Sequence, residues 1–144
     1  MKSTVQNLLL AFCSAFLMFS CTTSESEINP LVGTWTLKGV SCQNCIDKTQ
    51  EASVTYVCNE SGCNTYTFNA EGSLKVETFV DGKLTVTQGT YSVSNSILTI
   101  HISEGQDSNS VKTYAFNLNG SSLYLNEIVE AYSGKCSATT VLGR

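Results

Sequence analysis

Between Leu31 and Val129, apolar side chains alternate with threonine, serine and lysine in short runs. TWTL sets Trp35 and Leu37 on one face, TYTF sets Tyr66 and Phe68, SLKV sets Leu74 and Val76, and KLTV sets Leu84 and Val86. Downstream, TYSV contributes Tyr91 and Val93, LTIHI contributes Leu98, Ile100 and Ile102, TYAFNL contributes Tyr114, Phe116 and Leu118, and SLYL contributes Leu123 and Leu125. A period of two belongs to a strand with one buried and one wet face, so these side chains form the expected interior. Turn chemistry separates the runs. Asp81-Gly82 suits a type I′ hairpin, which needs positive φ at both central residues; Asn69–Gly72, Ser94–Ser96 and Asn119-Gly120 supply further turns, and Ser103–Ser110 is a longer polar loop. No segment shows helical periodicity. The pattern predicts an all-β, antiparallel, up-and-down meander of about eight strands, and closure into a single barrel buries its one apolar face while removing exposed edges.

Upstream, Leu8 to Phe19 is apolar apart from Ser14 and follows a short start carrying Lys2. This run has the length of a secretory h-region and falls short of the ~20 apolar residues that cross a bilayer, so residues 1–20 are expected to be a removed signal peptide. The Ser20-Cys21 pair that ends it resembles the lipobox of bacterial lipoproteins. That resemblance implies diacylglycerol on the Cys21 thiol, Cys21 as the first residue of the mature chain, and a lipid anchor in the outer membrane facing the periplasm or the cell surface. Acids at Glu25 and Glu27 resemble export signals that some Gram-negative lipoproteins carry at this place, or belong to an ordinary solvated linker. Residues 22–30 are polar and lack periodicity; fully extended they span about 30 Å. The expected organisation is therefore a signal peptide (1–20), a lipidated cysteine with its tether (21–30) and one domain (31–144), a length that supports a real core.

The opening LVGTWTL (Leu31–Leu37) resembles the Gly-x-Trp strand of lipocalins, in which the tryptophan plugs one end of the barrel. YTFNAEGSLKV and GTYSVSNSILTI resemble, in the same order, the middle of the lipocalin-like domains found on many small bacterial lipoproteins, with Gly33, Trp35, Phe68, Gly72, Gly89 and Tyr91 at matching positions. The resemblance implies a lipocalin-like barrel that binds a small molecule without catalysis. A barrel of eight strands is wide enough either to be filled by its own side chains or to hold one small ligand. Tyr66, Phe68, Tyr91, Tyr114 and Phe116 are bulky enough for the first outcome; a hollow version of the same wall would suit an apolar or amphipathic guest.

Seven cysteines occur in the chain. With Cys13 in the signal peptide and Cys21 lipidated, Cys42, Cys45, Cys58, Cys63 and Cys136 remain, and export favours disulfides among them with at least one thiol left over. Cys58 and Cys63 bracket the tight connection NESG and are placed to close a local bridge, while Cys136, in a tail beyond the last clear strand, is expected to pair with Cys42 or Cys45. Two other readings of the cysteines exist. Cys42 and Cys45 have the C-x-x-C spacing of thiol oxidoreductases without the α/β setting those enzymes use, and C-x₂-C with C-x₄-C is a spacing that holds zinc.

Net charge is −4, and loss of Lys2 makes it more negative; an acidic chain with no basic cluster argues against nucleic acid or anionic lipid as a partner. The single histidine, His101, alternates out of phase with Ile100 and Ile102 and is expected to face solvent. No serine sits in a nucleophile elbow, no carboxylate pair stands out, and no cofactor motif is present. Glu127 shares the inward parity of Leu123 and Leu125, as a polar group near the barrel mouth. The sequence thus points to a non-enzymatic binding barrel, with an alternative as a protein- or glycan-interaction module on a filled scaffold. VTYVC (Val54–Cys58) with Gly62, and SGKC (Ser133–Cys136), resemble parts of lipoprotein lysozyme inhibitors, although the tyrosine expected three residues after Gly134 is absent.

Overall fold

The computed structural model of the chain describes residues 29–104, 109–131 and 134–144. The signal peptide, Cys21 and the tether as far as residue 28 lie outside the described residues. Nine strands are present among those described: β1 (Gly33–Gln43), β2 (Ala52–Thr55), β3 (Gly62–Phe68), β4 (Ser73–Val80), β5 (Lys83–Ser94), β6 (Ile97–Glu104), β7 (Val111–Asn119), β8 (Ser122–Ala131) and β9 (Gly134–Gly143), with one 3₁₀ turn at Lys48–Gln50. All pairings are antiparallel. From β3 onward each strand pairs with the next, and β9 returns to β1 over Thr36–Gly143 to Gln43–Ser137, closing eight strands into a barrel. β2 is an addition to that ring. It pairs with β1 at Gly39–Cys42, on the edge where β3 has paired only with Gly33–Thr36.

The turns behave as their residues require. Asp81 and Gly82 both have positive φ (49° and 76°), and so do Asn95 and Ser96 (48° and 62°), giving the right-handed strand twist two tight hairpins. Gly89 serves a different need: a Cβ there would collide with the His101 carbonyl oxygen, at the bulge where β5 shifts register against β6.

One end of the barrel is sealed. Leu31, Trp35, Phe68, Leu74, Tyr91, Leu98, Leu123 and Leu142 are buried there in a single cluster. The Trp35 indole donates to the Leu31 carbonyl oxygen at 2.8 Å, so its one polar atom is satisfied inside the core. Over the ring, at 3.9 Å from its centroid, lies the guanidinium of Arg144, which also donates to the carbonyl oxygens of Pro30 (2.8 Å) and Val32 (3.1 Å). Phe68 and Tyr91 meet edge to face at 4.9 Å, and the Tyr91 hydroxyl donates to the Asn69 carbonyl oxygen at 2.8 Å. Arg144, following β9, is thereby clamped onto the segment that leads into β1.

Three expected interior residues are exposed. Leu84 (56 %) and Val86 (42 %) lie on the outer face. The reason is that KLTV and TYSV are not two strands but one, β5, in unbroken register with β4 from Ser73–Thr90 to Val80–Lys83. A continuous strand has one inward parity; Gly89 and Tyr91 take it, through pairing with Leu74 in β4 and Ile100 in β6, and that forces Leu84 and Val86 outward. Val93 is in register with buried Leu98 but is 38 % exposed, because it stands at the strand end beside the Asn95-Ser96 turn. Cys136 lies not in a tail but in β9, the strand that closes the barrel.

Candidate ligand cavity

The strands run so that β1, β4, β6 and β8 leave the sealed end, while β3, β5, β7 and β9 return to it. Residues late in the first group and early in the second therefore form the opposite end, and both disulfides lie there. Cys45, in the loop after β1, is bonded to Cys136 of β9, and Cys58 is bonded to Cys63 at the start of β3. The loop carrying Cys45 is also held by Glu51, whose carboxylate accepts from the Cys45 amide (3.3 Å) and from the Lys48 ammonium (2.7 Å). That hydrogen bond from Lys48 is the main cause that holds the Glu51 carboxyl below the usual range. Cys42 keeps a free, half-buried thiol opposite Ala138 of β9. The C-x-x-C pair is thus split between a free thiol and a long-range bond, and four of the five cysteines are consumed in disulfides. Among the described residues no three His, Cys, Asp or Glu side chains converge as metal ligands.

Between the seal and this end, the inner faces of β3–β7 line a half-open cavity of about 230 Å³. Its apolar wall is Leu74 and Val76 from β4 with Ile100 and Ile102 from β6; its polar wall is Tyr66, Thr78, Thr87, Ser110, Lys112 and Tyr114. A second cavity of about 300 Å³ lies where β1 and β3 have parted and is lined by Leu37, Asn64 and Val80 with residues of the connection from Tyr56 to Gly62. Burial raises the hold of both inward tyrosines on their protons. Tyr66 is shifted upward by desolvation and then by Tyr56; Tyr114 is pushed up to about 12 by desolvation, then by the charge of Glu127 and by Tyr66. Both hydroxyls are therefore neutral donors at physiological pH. Glu127 is in register with Ala138 and half-buried, as its parity with Leu125 requires. The Ser110 hydroxyl is buried without a hydrogen-bond partner among the described residues.

A family model of the lipocalin-like domain matches residues 31–125. The chain belongs to the lipocalin-like domain family. A crystal structure of a lipocalin-like protein from Bacteroides uniformis ATCC 8492 is similar to this lipocalin-like chain with a TM-score of 0.55 at 19 % identity, covering 79 % of this chain and 97 % of that one; at that identity the likeness speaks for the fold. No curated protein sequence matches the chain. The family match ends before β9, so the closing strand of this lipocalin-like barrel lies beyond it.

Of the expected interior residues, Trp35, Leu37, Phe68, Leu74, Tyr91, Leu98, Ile100, Leu123 and Leu125 are buried, and Tyr66, Val76, Tyr114 and Phe116 are half-buried against them. Only Tyr66, Leu74, Val76, Ile100 and Tyr114 among these border the inner cavity. Of the five aromatic side chains expected inside, Phe68 and Tyr91 belong to the seal, Phe116 packs against the core, and Tyr66 and Tyr114 border the cavity. Residues not anticipated for the cavity are its polar wall, Thr78, Thr87, Ser110 and Lys112. The signal for two of them is present in the chain, since Thr78 continues the parity of Val76, and Lys112 that of Tyr114.

Proposed function

We propose that this lipocalin-like domain is a non-enzymatic binding protein, anchored to the outer membrane through Cys21, that carries a small apolar or amphipathic molecule in its barrel. The observation that supports this most is the half-apolar, half-polar cavity beside a sealed end, since pockets with an apolar wall and a few placed polar groups suit small organic guests. The lipobox-like end of the apolar run supports the anchor. Titration of the exported protein with an environment-sensitive apolar dye tests the cavity: saturable binding is expected, and Thr87→Trp, which places an indole in the cavity, is expected to abolish it. Binding unchanged by that substitution would place the guest elsewhere and refute the reading. Incorporation of a labelled fatty acid at Cys21, with the protein in the outer-membrane fraction, tests the anchor.

A second reading, an interaction module, is favoured by one observation. Two apolar side chains of β5, Leu84 (56 % exposed) and Val86 (42 % exposed), stand on the outer face of the barrel. Capture of a partner that is lost on Leu84→Ser, with dye binding retained, would support that role; the lysozyme-inhibition variant of it is tested by an activity assay with added domain.

A further inference from the structure

The inner cavity carries a pattern of charge that its apolar wall does not require. Its one ionic lining group is a cation, the exposed Lys112 near the start of β7, two residues from Ser110. Lys112 is paired with Ile100 of β6, whose buried side chain points into the barrel, so its stem leaves the backbone on the inward face. Ser110 presents a buried hydroxyl with no partner among the described residues. A buried hydroxyl left unpaired costs ~1–3 kcal/mol, so an acceptor placed there would be retained. Tyr114 follows Lys112 by two residues on the same face of β7, and Tyr66, Thr78 and Thr87 add further hydroxyl-bearing lining groups able to donate. No carboxylate is among the lining residues; Glu127 lies on the far side of Tyr114, on β8, where its charge helps keep that phenol protonated and therefore donating.

The geometry points to a carboxylate-headed amphiphile as the guest, with its head between Lys112, Ser110 and Tyr114 and its apolar body against Leu74, Val76, Ile100 and Ile102. This assignment rests on the binding function proposed above and specifies its ligand class. At about 230 Å³ the cavity has room for a body of medium chain length. Repulsion from Glu127 directs the head toward the Lys112 side of Tyr114.

The test is calorimetric titration of the exported protein, disulfides formed, with three probes that share one tail: octanoate, octanol and octylammonium. Octanoate is expected to bind at least tenfold more tightly than the other two, and Lys112→Gln is expected to remove most of that preference. Ser110→Ala is expected to weaken octanoate severalfold. Equal binding of all three probes would overturn the head-group assignment and leave the binding barrel standing; an octanoate preference that survives Lys112→Gln would overturn the assignment of the head to Lys112. If none of the three binds, both the ligand class and the binding function fall together.

Discussion

Removing the Cys45–Cys136 bond should cost far more than removing Cys58–Cys63, although both lie at the same end of the barrel. The first bond spans 91 residues of sequence and the second spans 5. In the chain-entropy treatment, a cross-link restricts the unfolded ensemble by an amount that grows with the logarithm of loop length, giving about 4.6 kcal/mol for the long loop and about 2 kcal/mol for the short one. Packing widens the gap, because Cys45 and Cys136 are both nearly fully buried and their replacement leaves a void, whereas Cys58 is only half-buried. The assay is urea unfolding of paired variants, Cys45→Ala with Cys136→Ala and Cys58→Ala with Cys63→Ala, each in a Cys42→Ser background so that no thiol reshuffles. The long-loop variant should lose on the order of 4–5 kcal/mol and show a steeper denaturant dependence, as its unfolded chain is freed to expand. The short-loop variant should lose about 2 kcal/mol. Equal losses, or a larger one for Cys58–Cys63, would refute the reasoning.

Three further outcomes are expected. Leu84→Ser should change unfolding free energy by less than about 0.5 kcal/mol while Leu98→Ala costs ~2–5 kcal/mol, in the same urea assay; the reverse order would mean that KLTV, not TYSV, sets the inward parity of β5. Arg144→Ala removes the cation over Trp35 and two hydrogen bonds to carbonyl oxygens, and should destabilise by roughly 1–2 kcal/mol, with Arg144→Lys recovering only part because a single ammonium cannot cover the ring and both acceptors; thermal unfolding measures both. Tyr114, raised from 10.0 to about 12 in the folded chain, stabilises it fully below pH 10, where the unfolded chain also keeps its proton, and that contribution is lost as pH rises toward 12. Stability should therefore decline through that window, and Tyr114→Phe should flatten the decline.

How much of the fold was legible depended on what each strand buries. Strands whose inward positions are large and apolar announced themselves, as with Trp35 and Leu37 in β1 or Leu123 and Leu125 in β8. β9 did not, because its inward side chains are Cys136, Ala138, Thr140 and Leu142, too small or polar to write a visible alternation. The two-strand reading of β5 failed for a related reason: KLTV and TYSV each alternate well, and only pairing with β4 and β6 reveals that they are continuous and out of phase. The seal was half legible. Gly33-x-Trp35 pointed to a plugged end, but Arg144, more than a hundred residues away, carries no local signal, and its place over the indole follows from β9 closing on β1. For the cavity, parity alone would have reached Thr78 and Lys112. It would not have told a filled barrel from a hollow one, since that depends on which aromatic side chains turn toward the seal.

The central claim is that the barrel interior holds a guest, and native mass spectrometry of the exported protein followed by its denatured intact mass tests it most directly. The account predicts an adduct that is present under native conditions, disappears on unfolding and is absent from Thr87→Trp, with a denatured mass four hydrogens short of the fully reduced chain for its two disulfides. A clean native mass that stays clean after incubation with octanoate, octanol and octylammonium would contradict it.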